Sequence, residues 1–209
     1  MPARQPIRLY GFPLSGHAHR VRLLLSMLEL PHEVIDVDLP HGQHKQPEFL
    51  ALNPRGQIPV IVDGNVTLYE STAILVYLAR RYGSEQWLPS DPLGAARVQQ
   101  FLSLASGDIF EGPNRVRLAK LFKRDLDYAL AHQKTLALLA FLDRHLDNRE
   151  FLAAGHVTIA DLACHTYVAH VPEGGVDLAP YPNVRAWIAR VEQLPGFIPM
   201  QASPHAIAA

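Results

Sequence analysis

The spacing of apolar positions changes along this chain, and the changes divide it into elements. Ile7-Arg8-Leu9-Tyr10-Gly11 is a short apolar run stopped by glycine, which predicts a buried strand. After a Ser-Gly turn, Val21, Leu24, Leu25 and Leu28 fall at i, i+3, i+4 and i+7. That spacing lines one face of a helix over residues 17–30, which Pro31 closes. Glu33-Val34-Ile35-Asp36-Val37 reads as a second strand, followed by a polar stretch at 39–46 and a short helical candidate at 47–52. The run Pro59-Val60-Ile61-Val62, the turn Asp63-Gly64-Asn65 and the run Val66-Thr67-Leu68 predict an antiparallel hairpin. Ile74, Leu75, Leu78 and Tyr82 then mark a helix over 70–82 that ends at Gly83, the residue expected as its C-cap. The order of this first part is βαβαββα.

Residues 84–92 lack periodicity and contain two prolines, so they are read as a linker between domains at 1–83 and 93–209. Beyond it, stretches at 93–122, 124–147, 157–171 and 183–194 carry helical spacing with no strand pattern, so the second domain reads as all-helical. A length of 209 residues suits one large domain or two compact ones.

Composition narrows the function classes. The net charge is −1, with 8 basic and 7 acidic residues before Gly83 and 11 and 13 after it, so neither half is a basic nucleic-acid platform. No stretch approaches the roughly 18 apolar residues of a spanning helix. The opening MPARQPIRLYGF has no apolar core of a signal peptide. Cys164 is the only cysteine, which rules out an intramolecular disulfide. These features predict a cytoplasmic protein whose partners are small molecules or proteins, with no membrane anchor.

Ser15-Gly16 sits between the first strand and a helix whose free amides and positive dipole end favour an anion such as a thiolate. A serine there also serves as a plain N-cap. Glu70-Ser71 opens another helix and reads either as an acid and cap or as an anion site with an acidic neighbour. His17, His19, His41 and His44 invite a metal reading, but i and i+2 side chains diverge on a helix and no cysteine or carboxylate pair completes a zinc spacing. No metal is expected. Tyr10 is a second candidate hydroxyl, placed in an apolar strand where packing explains an aromatic. Val157-Thr158-Ile159-Ala160-Asp161-Leu162 has the form of a capping box with a hydrophobic staple, which makes Asp161 structural. Gly112-Pro113 should kink a long helix and widen a cleft.

Residues 9–22, from Leu9-Tyr10-Gly11 through Ser15-Gly16-His17 to Arg20-Val21-Arg22, resemble the opening of serine-type cytosolic glutathione transferases of the bacterial, theta, phi and zeta kinds. The segments His44-Lys45-Gln46-Pro47-Glu48-Phe49-Leu50, Asn53-Pro54-Arg55-Gly56-Gln57-Ile58-Pro59-Val60 and Leu68-Tyr69-Glu70-Ser71-Thr72-Ala73-Ile74 follow in the family's order. The resemblance covers nearly all of residues 7–82, and Thr158-Ile159-Ala160-Asp161 extends it into the helical half.

It implies a thioredoxin-like α/β N-terminal domain followed by an all-α C-terminal domain, and a homodimer. Glutathione would be the co-substrate, with no tightly bound cofactor. Ser15 would donate to the glutathione sulfur. Ile58 would pair with the cysteinyl backbone beside Gln57 and a cis-linked Pro59, Glu70 and Ser71 would hold the γ-glutamyl end, and His44 and Lys45 would meet the glycine carboxylate. A free thiol with pKa near about 8.5 is largely protonated at neutral pH, so the nucleophile must be stabilised as thiolate.

Phe12, Phe110, Asn114 and Arg115 are candidates for the wall of a site for a small hydrophobic electrophile, and Asp108 for a contribution across a dimer interface. The chain departs from the zeta pattern of Ser-Ser-Cys with Ser15-Gly16-His17, which disfavours maleylacetoacetate isomerisation. The absence of a cysteine before Cys164 disfavours thiol transfer through the protein. Two alternatives remain open at this point: glutathione-dependent reduction of peroxides or disulfides, and a non-catalytic ligand-binding protein of the same fold.

Overall fold

A computed structural model describes residues 5–203. Strands β1 (Ile7–Gly11), β2 (His32–Asp36), β3 (Val60–Asp63) and β4 (Val66–Tyr69) form one sheet in the order β2-β1-β3-β4. β1 pairs in parallel with β2, from Ile7 opposite His32 to Gly11 opposite Asp36, while β3 is antiparallel to both β1 and β4. Helices α1 (Gly16–Met27), α2 (Pro47–Leu50) and α3 (Ser71–Tyr82) complete the expected βαβαββα order.

Five α-helices follow among the described residues: α4 (Pro92–Ser106), α5 (Arg115–Leu121), α6 (Tyr128–His145), α7 (Ile159–Ala169) and α8 (Pro182–Glu192). The single stretch expected at 93–122 is two helices joined by a turn of π-helical winding over Phe110–Asn114 that contains Pro113. Proline lacks the amide that would continue an α-helix, so the winding widens there. A Cβ at Gly112 would lie 3.0 Å from the Thr135 backbone nitrogen, so the missing side chain lets α6 close against this turn.

Two local expectations change. β2 starts one residue earlier than read, because its register against β1 sets its ends. Gly83 caps α3 in extended backbone at φ −86° and not in the left-handed form. The reason for glycine there is space, since a Cβ would approach the Ala79 carbonyl oxygen to 2.8 Å and Trp87 Cδ1 to 3.0 Å. The region read as a linker is fastened: Arg80 donates to the carbonyls of Leu88 and Pro89, and Ile159 N–H donates to that of Trp87.

One continuous apolar core runs through both halves, from Ile7 and Leu9 of β1 through Leu24 of α1 to Ile159 of α7 and Trp187 of α8. α1 is buried on more than the one stripe its spacing predicts, because α3 and α7 both pack against it. A smaller cluster of Val37, Phe49 and Val60, with Tyr10 edge-on to Phe49 at 6.3 Å, lies apart from it. The α7 capping box forms as read, with Asp161 accepting from the backbone amides of Thr158 and Leu152 at 2.9 Å each and from Trp187 Nε1 at 3.0 Å. Among the described residues no helix is long and apolar enough to cross a membrane.

Candidate active site

A cavity of about 1000 Å³ opens where the ends of β1 and β3 and the start of α3 face α4, α5 and α7. Ser15 stands at its base. Its extended backbone, φ −88° and ψ 111°, ends the turn after β1 and starts α1, and its Oγ accepts from the Ala18 amide at 3.3 Å. A serine hydroxyl has one proton to donate and two lone pairs. The cap occupies a lone pair only, so the proton remains free for a group in the cavity; the N-cap and the sulfur-donor readings of Ser15 are compatible.

Opposite Ser15 lies the loop that enters β3. The Ile58-Pro59 peptide is cis, and neither the N–H nor the C=O of Ile58 has a partner among the described residues. An unpaired edge of this kind can take an extended peptide ladder-fashion. Buried Asn53 shapes the loop, its Nδ2 donating to Gln57 C=O at 2.7 Å and its Oδ1 accepting from Arg55 N–H at 3.0 Å. Gly56 has φ +58°, and a Cβ on it would meet the His44 carbonyl at 2.7 Å. Lys45 lines the cavity, yet its Nζ already donates to the carbonyls of Arg55 and Gly56 at 3.2 and 2.9 Å. His44 lines it too, and its pKa is lowered by burial and by the charges of Lys45 and Arg124.

At the third edge, Glu70 adopts φ +68° between β4 and α3, a conformation that non-glycine residues adopt at a cost of about 1–3 kcal/mol. No side chain caps α3, so its first amides stay open beside the cavity. The Glu70 carboxylate accepts from Arg55 Nη1. Ser71 is buried and its Oγ accepts from Arg20 Nη1 at 3.3 Å. Arg20 is itself fully buried on α1, sits over the Tyr167 ring at 5.6 Å, and has no acidic partner among the described residues. It places a buried guanidinium beneath the starts of α1 and α3.

The helical half supplies the remaining wall. Phe110 and Asn114 line the cavity, as do Phe12 and Leu14 from the first half. Arg115 does not: it turns to the other face and pairs with Glu111, one helical turn back, at 3.0 Å. Asp108 is exposed and does not line this cavity. Arg117 and Leu118 line it instead, lying at i+7 and i+8 from Phe110. That spacing is a local signal for both residues. Arg117 is buried, ion-paired with Glu173, and donates through Nη1 to the Leu14 carbonyl at 2.7 Å, so α5 holds the turn that carries Ser15.

Tyr167 of α7 also lines the cavity, and nothing in its local sequence marks it. His17 lies between Tyr167 and Phe110, with ring centroids 4.9 and 6.0 Å away. Burial, helped by the Arg20 charge, lowers its pKa from 6.5 to about 3, so it is a neutral imidazole. His19 diverges from it, bonding Thr166 Oγ1 and the Ile198 carbonyl at 2.8 Å each. Cys164 is fully buried away from the cavity, and burial pushes its thiol pKa well up.

An α/β half with two open helix starts and a cis-proline loop, joined to a helical half across one cleft, defines a class of protein. The chain matches the family descriptions "Glutathione S-transferase, N-terminal domain" over residues 5–80 and "Glutathione S-transferase, C-terminal domain" over 101–195. It belongs to the glutathione S-transferase family. It is 38% identical over 208 residues to glutathione S-transferase 3 of Zea mays, covering 92% of this chain and 91% of that one. The crystal structure of a Pseudomonas fluorescens glutathione S-transferase matches with a TM-score of 0.89 at 32% identity, over 95% of this chain and all of that one. A glutathione transferase homologue of Drosophila mojavensis, solved with bound glutathione, matches at 0.81 and 29% identity, over 91% and 89% of the two chains.

Proposed function

We propose that this enzyme conjugates glutathione to small hydrophobic electrophiles, with Ser15 stabilising the thiolate. The observation that carries the reading is the free Ser15 proton at the start of α1, across the cleft from the unpaired Ile58 backbone. Lowering a thiol pKa by about two units takes about 2.7 kcal/mol of preferential thiolate stabilisation, within reach of a hydroxyl donor and a helix terminus acting together.

Glutathione lies along the first half, its cysteinyl backbone on Ile58 beside Gln57 and Pro59. The open amides of Ser71 and the α3 start take its γ-glutamyl carboxylate, and Glu70 takes the amine. His44 meets the glycine carboxylate with Arg124 nearby; Lys45 acts chiefly by holding the loop, as its two carbonyl bonds support. Phe12, Phe110 and Asn114 receive the electrophile, joined by Leu118. The domains are read as 1–83 and 93–209 about the 84–92 connection. The lone buried cysteine fits a cytoplasmic, reducing setting and gives no support to thiol exchange through the protein. The active form is read as a homodimer, in which Asp108 reaches the partner's site.

Ultraviolet titration of bound glutathione tests the central step, with binding measured separately. A depressed thiol pKa in the native protein that returns toward the free value in Ser15→Ala supports it. Bound glutathione with an ordinary or Ser15-independent thiol pKa refutes it.

A further inference from the structure

The peptide that joins Leu14 to Ser15 is held from both sides. Its N–H, on Ser15, donates to the Phe12 carbonyl at 2.9 Å. Its C=O, on Leu14, accepts from Arg117 Nη1 at 2.7 Å and from no backbone amide among the described residues. A peptide unit is planar, so the motion left to it is rotation between its two flanking Cα atoms. Bonds on opposite edges block that rotation, and with it any drift of the φ of −88° from which the Ser15 Cα–Cβ bond takes its direction. The first bond is local. The second comes from a helix 103 positions away in the sequence.

Arg117 is in turn built in. Only 2% of its side chain is exposed, and its Nε donates to Glu173, whose side chain is 5% exposed. The guanidinium fork thus spans a carboxylate and the Leu14 carbonyl, two directions that a lysine ammonium on a flexible stem does not fix together. Glu173 lies on the tight turn Val171–Gly174, which closes on α5 because Gly174 has no side chain: a Cβ there would stand 2.6 Å from Val116 Cγ2 and 3.0 Å from the Arg117 nitrogen. The other carboxylate oxygen of Glu173 accepts from the Ser203 amide at 3.1 Å and faces His170 Nδ1 at 3.5 Å. Burial opposes the Glu173 charge, but Arg117, Ser203 and His170 outweigh it and hold the carboxyl below its ordinary pKa. Well-packed apolar residues join two elements at least as firmly as a buried ion pair. What this pair adds to cohesion is a fixed donor at Leu14.

We propose that Arg117 is a positioning residue, fixed by Glu173, that clamps the Leu14–Ser15 peptide and so aims the Ser15 hydroxyl at the glutathione sulfur. The proposal rests on the reading of Ser15 as the donor to that sulfur. A hydrogen bond weakens steeply as its angle departs from linear, so a peptide free to rock leaves Ser15 a poorer donor. The helical domain then takes part in thiol activation through a backbone carbonyl.

Arg117→Lys keeps the charge and loses the fork. Ultraviolet titration should show the thiol pKa of bound glutathione raised by about one unit. The glutathione Kd from calorimetry should stay within about twofold, because Ile58 and the α3 start still hold the peptide. The kcat/KM should fall about tenfold at pH 6 and less than about twofold at pH 9, where the thiol is ionised in both proteins. In a Ser15→Ala background the same substitution should leave the thiol pKa unmoved and kcat/KM within about twofold, since a residue acting only through Ser15 has nothing left to aim. Glu173→Gln separates positioning from charge. It removes the carboxylate that neutralises Arg117, so a direct action of the arginine charge on sulfur would lower the thiol pKa, whereas a loosened clamp raises it. Additive losses in the double variant, a loss uniform across pH, a thiol pKa lowered in Glu173→Gln or unmoved in Arg117→Lys, or loss of the fold in both variants would each overturn the assignment. A native protein that binds no glutathione, or whose bound thiol pKa is independent of Ser15, would instead remove the reading on which it rests.

Discussion

Helices α1 and α7 both begin on a hydroxyl side chain in extended backbone, Ser15 at φ −88° and Thr158 at φ −135°. Thr158 is fully buried; its Oγ1 accepts from the Ala160 amide and donates to Asp161, whose two oxygens are filled by backbone amides and Trp187. Ser15 accepts from Ala18 and donates to nothing among the described residues. The α7 start is closed on itself and the α1 start is open to a cavity. One chemistry thus builds the fold where every hydrogen bond is satisfied internally, and builds a site where a donor is left over.

The sharpest way to break this contrast is to open the closed end. Asp161→Ala orphans three buried N–H donors, on Thr158, Leu152 and Trp187, and removes the acceptor of the Thr158 hydroxyl; at about 1–3 kcal/mol for each N–H, the loss should be about 3–9 kcal/mol by urea unfolding. Burial raises the Asp161 pKa and those donors oppose it, so the neutral Asn variant should recover part of the stability. A loss under about 1 kcal/mol in Asp161→Ala would contradict the structural role.

At the open end the same kind of truncation should spare the fold. Ser15→Ala removes one N-cap bond, about 1 kcal/mol of stability. Its kcat/KM should nevertheless fall about 10²–10³-fold, the scale for removing one donor to a reacting anion. Steady-state kinetics and thermal melting on one preparation check both halves. A variant that melts far lower while the surviving protein keeps its rate would invert the comparison.

The contrast also explains what was legible in the sequence. The strands, the hairpin and the segments holding Ser15, Gln57-Ile58-Pro59 and Glu70-Ser71 are contiguous, so local period and order expose them. The capping box is equally local. Arg55, Arg117 and Tyr167 are placed by tertiary contacts, and only Arg117 had a usable signal, its position at i+7 from Phe110. Arg115 is a candidate by fold-level analogy alone; neighbours along a helix point about 100° apart, and Glu111 one turn back takes it. Tyr167 looks like any core aromatic, and Gly16, which its ring covers, is 151 positions away.

The face of α1 turned toward α7 should behave like the closed end, and pH exposes it. His19 joins Thr166 of α7 to the Ile198 carbonyl. Its folded pKa falls from 6.5 to about 4, chiefly through burial, with Ile198 opposing and His165, His170 and Arg22 contributing. Above pH 6.5 both states are neutral. As pH falls below that value the unfolded chain takes up a proton that the folded chain refuses, so stability is lost toward pH 4. The slope is about 1.4 kcal/mol per pH unit, or about 2 kcal/mol at pH 5. His19→Gln should be less stable at pH 7.5 yet lose about 2 kcal/mol less than the native protein between pH 7.5 and pH 5. Denaturant titrations giving equal losses in the two proteins would show that His19 does not carry the effect.

The smallest effect concerns the third helix start, α3, which is open like α1 but has a charged residue where α1 has a hydroxyl. Glu70 and Arg55 form an ion pair with 51% and 59% of their side chains exposed, so breaking it should cost less than about 1 kcal/mol of stability. If the carboxylate also holds the glutathione amine, Glu70→Gln loses one charge-assisted hydrogen bond, about 1.5 kcal/mol, and KM for glutathione rises about tenfold. The thiol pKa stays where Ser15 sets it, because the α-amino end binds away from the sulfur. A separate rise in KM, with melting temperature and thiol pKa both held, assigns α3 to binding and α1 to activation. An unchanged KM would mean that Glu70 serves Arg55 alone, leaving the left-handed turn at φ +68° to act only by presenting the free amides of α3.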